Sequence, residues 1–336
     1  DSEPSQEVVI GRERHLQSFG RFSERAFTVN QTGLSLGAGD FPYTLAFEPR
    51  YDSSSRFNDG VLGLGWTHNY KWNVAVSSDG YKGLGDDSPI EGAAAIVAAL
   101  AIIDIASGFA GMGTYTVVAA SAMALTEYWL IGQLSSNTVV MKTPTTEEVF
   151  YKLADGSYHS PLGLTGTLTL TGGLYTYKSP DQVAYNFNSA GDLATIVYPF
   201  GVTVTLNYTA GVLTSITNGM GRTLTLNYTS GRLTSVTDGT GRSVSYLVDA
   251  NKNLTQFTDA NGKLTTYAYG QPGLMTQMFL PQNPASTIFT NVFDTLGRIQ
   301  TQADALNNLS TYRFAGPRSQ ETDPVGNNKV WYFNRF

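Results

Sequence analysis

Residues Gly201–Asn218, GVTVTLNYTAGVLTSITN, recur almost unchanged twenty positions later as Gly221–Asp238, GRTLTLNYTSGRLTSVTD. A chain that repeats itself at so short a period is committed to stacking one supersecondary unit on the next. The alternation inside each copy identifies the unit. Leu224, Leu226 and Tyr228 fall on one face, Thr223, Thr225 and Asn227 on the other, and the pattern resumes at Leu233 and Val236. Period-two spacing of Thr, Val, Tyr and Leu is strand patterning. The breaks, Thr229-Ser230-Gly231 and Asp238-Gly239-Thr240-Gly241, carry the Gly and Asp that tight turns require. One unit is therefore a strand, a turn, a second strand and another turn.

Following the leucine gives Leu193, Leu213, Leu233, Leu254, Met275 and Ile299. The residue closing the second strand recurs as Asn218, Asp238, Asp259, Asp304 and Asp323. An aromatic residue opens the turn as Phe187, Tyr208, Tyr228, Tyr269 and Phe293, with Val248 standing in once. The best-formed stretches are Phe293-Asp294-Thr295-Leu296-Gly297-Arg298-Ile299 and Gly231-Arg232-Leu233-Thr234-Ser235-Val236-Thr237-Asp238. In register, these positions resemble the bacterial YD-repeat, or rearrangement-hotspot (RHS), family, whose unit reads roughly Y-D-x-x-G-R-L-x-x-V-x-D-x-x-G. The resemblance covers about the second half of the chain. It implies a spiral β shell that is hollow and commonly encloses a secreted toxin or forms part of a surface-exposed protein.

Upstream, Tyr43, Leu45 and Phe47 alternate, and Arg50-Tyr51-Asp52-Ser53 is followed by Gly63-Leu64-Gly65-Trp66-Thr67-His68-Asn69-Tyr70. This pair of stretches resembles the domain that precedes the repeats in bacterial RHS proteins. The sequence is thus read as an extended arm over 1–30, docked by Phe19, Phe22 and Phe27, a β-rich pre-repeat domain over 31–87, an apolar helical hairpin over 88–135, and a repeat sheet over 136–336. The repeat sheet becomes regular from about residue 190 and loosens around Gln271–Ser286, where three prolines imply a longer loop. The expected fold class is mainly β, a β-hairpin solenoid or spiral sheet of shell-like form with a small helical insertion.

The hairpin rests on Ser88 as N-cap, Pro89 at the first helical position and Glu91 completing a capping box. Apolar runs follow over Gly92–Ile103 and Thr116–Leu134, separated by Gly108, Gly111 and Gly113. The first run is shorter than the ~20 apolar residues a membrane crossing needs. The second opens on mostly Ala, Ser, Thr and Val, so no stable membrane span is expected. So apolar a hairpin must be covered by the β shell, by a second subunit or by an enclosed cargo.

Composition narrows the function classes. A formal charge of −6 with pI about 5.1 argues against a nucleic-acid partner or an anionic membrane surface. With no cysteine, disulfides and thiol chemistry are ruled out. The three histidines, His15, His68 and His159, are dispersed. They read as a solvated side chain in the arm, a hydrogen-bonded structural residue between strands, and a loop residue. Gly63-Leu64-Gly65 lacks the third glycine and the strand-to-helix context of a dinucleotide site, and the glycines read instead as places where backbone passes close to a large ring. The recurring aspartates Asp238, Asp259, Asp304 and Asp323 read as turn builders whose carboxylates accept backbone N–H groups two residues on, not as an acid/base pair or a calcium site. Asp86-Asp87 reads as electrostatic support for the following helix N-terminus. Sequons at Asn30, Asn207, Asn227, Asn253 and Asn308 arise easily by chance in a Thr-rich repeat.

No catalytic, cofactor-binding or metal-ligating residue is therefore nominated, and no cofactor. The chain is expected to be non-catalytic: a secreted or cell-surface scaffold forming a shell, layer or filament. Its expected partners are proteins, either copies of itself or an enclosed cargo. The alternative is an adhesion or carbohydrate-binding module whose Tyr228 or Tyr269 contacts a glycan. The polar start, Asp1-Ser2-Glu3-Pro4, has no signal-peptide core and suits a processed terminus or a fragment. The end, within a fresh unit, suits further repeats beyond Phe336 or a neighbouring subunit covering that edge.

Overall fold

The computed structural model describes residues 8–13, 25–37, 39–80, 89–109, 117–153, 155–160, 163–316 and 318–332. Ser88, Asp86-Asp87, Thr116, His15, Phe19 and Phe22 lie outside them. Two compact units are present: Asp1–Lys71 with Ala194–Phe336, and Trp72–Leu193. These divisions fall at 71 and 193, whereas the sequence reading divides the chain near 30, 87 and 135.

The chain is mainly β. Its largest sheet is antiparallel, with 17 strands in strict sequence order from Thr167–Thr171 to Asn328–Tyr332. The hairpins of the repeat are Thr203–Thr209 with Val212–Thr217, Thr223–Thr229 with Arg232–Asp238, and Ser243–Val248 with Leu254–Thr258. Leu264–Gln271 with Leu274–Phe279 and Thr287–Phe293 with Ile299–Asp304 follow. Gln271 ends a strand and Pro272-Gly273 form a tight hairpin turn, so the irregular loop expected over 271–286 is confined to residues 280–286.

The row Leu193, Leu213, Leu233, Leu254, Met275, Ile299 is buried throughout. Leu233 and Val236 are both fully buried although three positions apart, which strict alternation forbids. A β-bulge resolves this. The register steps from Asn227 opposite Ser235 to Tyr228 opposite Leu233, leaving Thr234 as the extra residue. The same step recurs at Asn207/Tyr208, Leu247/Val248 and Ala268/Tyr269. In each case the extra residue is a threonine whose hydroxyl donates across the ladder: Thr214 to the Asn207 carbonyl, Thr234 to Asn227, Thr255 to Leu247 and Thr276 to Ala268, at 3.1–3.2 Å.

At the opposite end of each hairpin the Asp or Asn closes a turn. Oδ1 of Asp238 accepts the N–H groups of Thr240 and Arg242 at 2.8 and 3.1 Å, and its Oδ2 accepts Nε of Arg242 at 2.8 Å. Asp294, Asp304 and Asp323 are braced in the same way, with Asn308 and Asn327 taking the arginine's place in the last two. Burial alone would raise the Asp238 carboxyl, but bonds from Thr240 and Arg242 outweigh it and hold the group below its usual range.

In the first unit, Arg25–Asn30 is an interior strand of the sheet ordered Val8–Glu13, Arg25–Asn30, Pro49–Asp52, Trp66–His68. Residues 25–30 therefore sit within a sheet as an interior strand, where the sequence reading has an extended arm docked through Phe27. Phe27 and Val29, alternating inward, are fully buried, and that burial holds the segment in place.

In the second unit, the sheet runs Tyr158–His159, Glu147–Lys152, Thr138–Lys142, Asn73–Ser77. His159 is a strand residue opposite Tyr151 rather than part of a loop. This sheet meets its neighbouring strands through rings: Trp72 stacks on Tyr185 at 4.4 Å, and Phe150 meets the Tyr177 edge at 6.0 Å. Gly191 is in the left-handed region (φ 83°), and any Cβ there would lie 2.1 Å from the Val74 carbonyl oxygen. Two helices, α1 (Pro89–Phe109) and α2 (Val117–Ser135), pack on each other between Asn73–Ser77 and Thr138–Lys142 in the chain. Among the described residues no helix is long and apolar enough to cross a membrane.

Candidate functional site

In the first unit, polar side chains converge where residues 31–64 meet the repeats. The repeat arginines make these contacts. Arg222 donates to the carbonyl of Tyr43, Arg232 to Asp59 and to the Gly60 carbonyl, and Arg242 to the Ser35 carbonyl. Arg222 and Arg242, which follow the glycines of equivalent turns twenty residues apart, and Arg232, at the other end of its hairpin, thus bond to three separate points on residues 35–60. Asp59 also meets Lys252 at 2.8 Å. Hydrogen bonds from Arg232 and Lys252 pull its carboxyl down to about 2.

Backbone meets backbone between these anchors. Leu64 N–H donates to the Lys252 carbonyl at 2.8 Å and Leu233 N–H to the Val61 carbonyl at 3.0 Å. Gly63 has φ 94°, and a Cβ on it would lie 2.4 Å from the Lys252 oxygen. Gly65 lies against the Tyr51 ring. Gly65 therefore serves close approach to a large ring, as read from the sequence, whereas Gly63 serves close approach to backbone.

The aromatic residues supply the interior. Phe27 meets the edge of Phe289 at 4.6 Å, and Trp66 meets Tyr267 at 5.2 Å. Trp66 Nε1 donates to the Tyr269 hydroxyl at 2.9 Å, which donates onward to the Leu254 carbonyl at 2.8 Å. The Tyr228 hydroxyl donates to the Leu213 carbonyl one unit back, and burial pushes it up to about 12. The two tyrosines nominated for a glycan thus have their hydroxyls bonded within the repeats. Tyr267 donates to Gln31 at 2.7 Å.

His68 is buried against Phe47, ring centroids 4.9 Å apart. The hydrogen bond expected of it is missing at Nδ1. Burial, aided by the Lys71 charge, lowers its pKa to about 3, so the imidazole is neutral and acts as a packing element. His159, in the second unit, belongs to a separate sheet. Among the described residues no group of three His, Cys, Asp or Glu is placed to hold a metal ion.

The sequence reading gives Gln31 no role and finds none of the long-range bonds of Asn218, Asn253 and Tyr51. Asn218 carried a readable signal: it is an amide where the neighbouring unit has Asp238. Its Oδ1 still braces the turn through Met220 and Arg222, while its Nδ2 donates to the Pro42 carbonyl at 3.1 Å. A carboxylate cannot make that last bond.

Fold and site together define a β-hairpin repeat protein whose upstream segment is stitched to its repeats. No protein-family model matches the chain, and no curated protein matches it. Among solved structures, 58% of the chain is similar to TcdB2-TccC3 in the structure with Cdc42, at 13% identity and a TM-score of 0.28. A further match, also over 58%, is TcdB2-TccC3 without its hypervariable C-terminal region, at 14% identity and 0.35. The Tc holotoxin pore of Photorhabdus luminescens matches over 57%, at 13% identity and 0.29. The chain spans 14–15% of the length of those neighbours.

Proposed function

We infer that this chain is a non-catalytic structural scaffold, secreted or at the cell surface, whose repeats form part of the wall of a β shell around a protein cargo. The bracing of the repeat carries this reading. Recurrent polar side chains, the turn aspartates, bulge threonines and repeat arginines, are bonded to backbone or to residues 35–60, holding each hairpin in register with the next. Such a unit specifies geometry and extends by addition. The resemblance of residues 190–336 to YD repeats supports a shell over an open layer.

Electron microscopy of the purified protein tests the reading. The expected image is a curved, continuous sheet forming a wall in a particle, with protein density inside or alongside. An isolated globule that turns over a small substrate would overturn it. Fractionation of the source cell, with the protein recovered outside the membrane, tests the location.

A further inference from the structure

The helical pair belongs to the second unit and grows from the turn of a β-hairpin. Asn73–Ser77 and Thr138–Lys142 pair up to Ser77 opposite Thr138. Beyond that pair Asp79 N–H donates to Asn137 Oδ1 at 3.2 Å, and Asn137 Nδ2 donates back to Asp79 Oδ1. Everything from there to residue 136 is an insertion into a closed ladder.

α1 and α2 cover one another along one stripe each. Ala95, Ile96, Ala99 and Ile103 on α1 are partly shielded at helical spacing, and Leu130 on α2 is buried. The other faces are also largely apolar, with Glu127 the exposed charge on α2. Leu100, Ile102, Ile105, Leu125, Tyr128 and Ile131 are 52–80% exposed. These six leave on the order of 700 Å² of apolar surface in water, more than the roughly 300–600 Å² of a typical monomer's largest patch. That area is close to the roughly 800 Å² per partner of a standard interface.

The chemistry selects what covers it. No Lys or Arg occurs between Lys82 and Lys142, so an anionic lipid surface finds no cation to hold. Neither helix is long and apolar enough to cross a bilayer among the described residues. The occupant must itself present a largely apolar surface of matching size. Two helices bury one face each, whereas four bury two. We propose that the missing half is the same helical pair from a second copy of this chain, giving a four-helix apolar bundle that joins two protomers. This does not depend on the scaffold reading, which concerns the repeats.

Sedimentation of the full chain tests the proposal alongside two variants: Leu125→Lys/Ile131→Lys, and a chain with residues 81–135 replaced by Asn-Gly. The wild type should dimerise at about micromolar concentration. The double variant should weaken association at least about tenfold with an unchanged circular dichroism spectrum, since both side chains are exposed, and the excised chain should be monomeric. Because the chain has no cysteine, Tyr128→Cys offers a second readout, an intermolecular disulfide on oxidation. A wild type that stays monomeric, lysine variants that dimerise as tightly as wild type, or a monomer that instead floats with phosphatidylcholine vesicles each overturns it.

Discussion

The hydroxyl of Tyr51 donates to the carbonyl of Gly273 at 2.7 Å and accepts the N–H of Met275 at 3.0 Å. One phenol thereby satisfies both backbone groups at the mouth of the Pro272-Gly273 turn, more than two hundred residues along the chain. Asn253 Oδ1 takes the Gly273 N–H beside it at 2.8 Å. Tyr51→Phe removes one atom and leaves a buried carbonyl and a buried N–H without partners. The expected loss is about 2–4 kcal/mol, read as a lower urea midpoint at unchanged slope. A loss below about 0.5 kcal/mol would show that water replaces the phenol.

The turn residues predict an asymmetric pair of substitutions. Asp238→Asn keeps the Oδ1 acceptor and gives up the Arg242 ion pair, for a loss of about 1 kcal/mol. Asn218→Asp keeps the same acceptor but sets a carboxylate against the Pro42 carbonyl, for a loss of about 2 kcal/mol or more. Thermal unfolding of the two variants decides the order. Equal losses would mean that Asn218 acts merely as a turn residue.

His68 predicts an acid sensitivity. Its folded pKa of about 3 lies below its unfolded value near 6.5. The unfolded chain therefore takes up a proton that the folded chain refuses, and stability falls as pH drops from 6.5 towards 3. Each unit in that window removes up to about 1.4 kcal/mol. His68→Phe keeps the contact with Phe47 and deletes the titration. Its stability should be nearly flat between pH 6.5 and 4.5, where the parent's declines. Parallel curves for both proteins would refute the assignment.

Ala210 and Ser230 sit at φ 49° ahead of Gly211 and Gly231 at φ 78°, the two left-handed positions of a type I′ hairpin turn. Neither residue favours that region, whereas asparagine does. Ala210→Asn should stabilise the protein by about 0.5–1 kcal/mol, seen as a higher melting temperature. A drop would mean that the exposed turn has a contact that alanine fits.

Some of this was legible in the residues and some was not. The strand runs, the Gly172-Gly173 and Ser230-Gly231 turns and the role of Asp238 could be read because each depends on groups within a few positions of one another. The bulge at Thr234 left a trace, the three-residue step from Leu233 to Val236, but it reads as a loss of pattern until the partner strand is known. Two expectations moved for related reasons. Residues 25–30 offer only the short Phe27/Val29 alternation after a charged stretch, too brief to mark an interior strand, and Pro272 looks like loop chemistry although it serves a two-residue turn.

By itself the sequence determined the hairpin and its repetition, since backbone φ preferences, side-chain alternation and aspartate-braced turns are local and nearly the same in every copy. Only the tertiary structure decided where residues 31–64 lie on those repeats, that Tyr51 is bonded to the Pro272-Gly273 turn, and that Asn218 must be an amide. Those outcomes come from burial and from donor–acceptor matching between groups some two hundred residues apart, and no short-range periodicity encodes them.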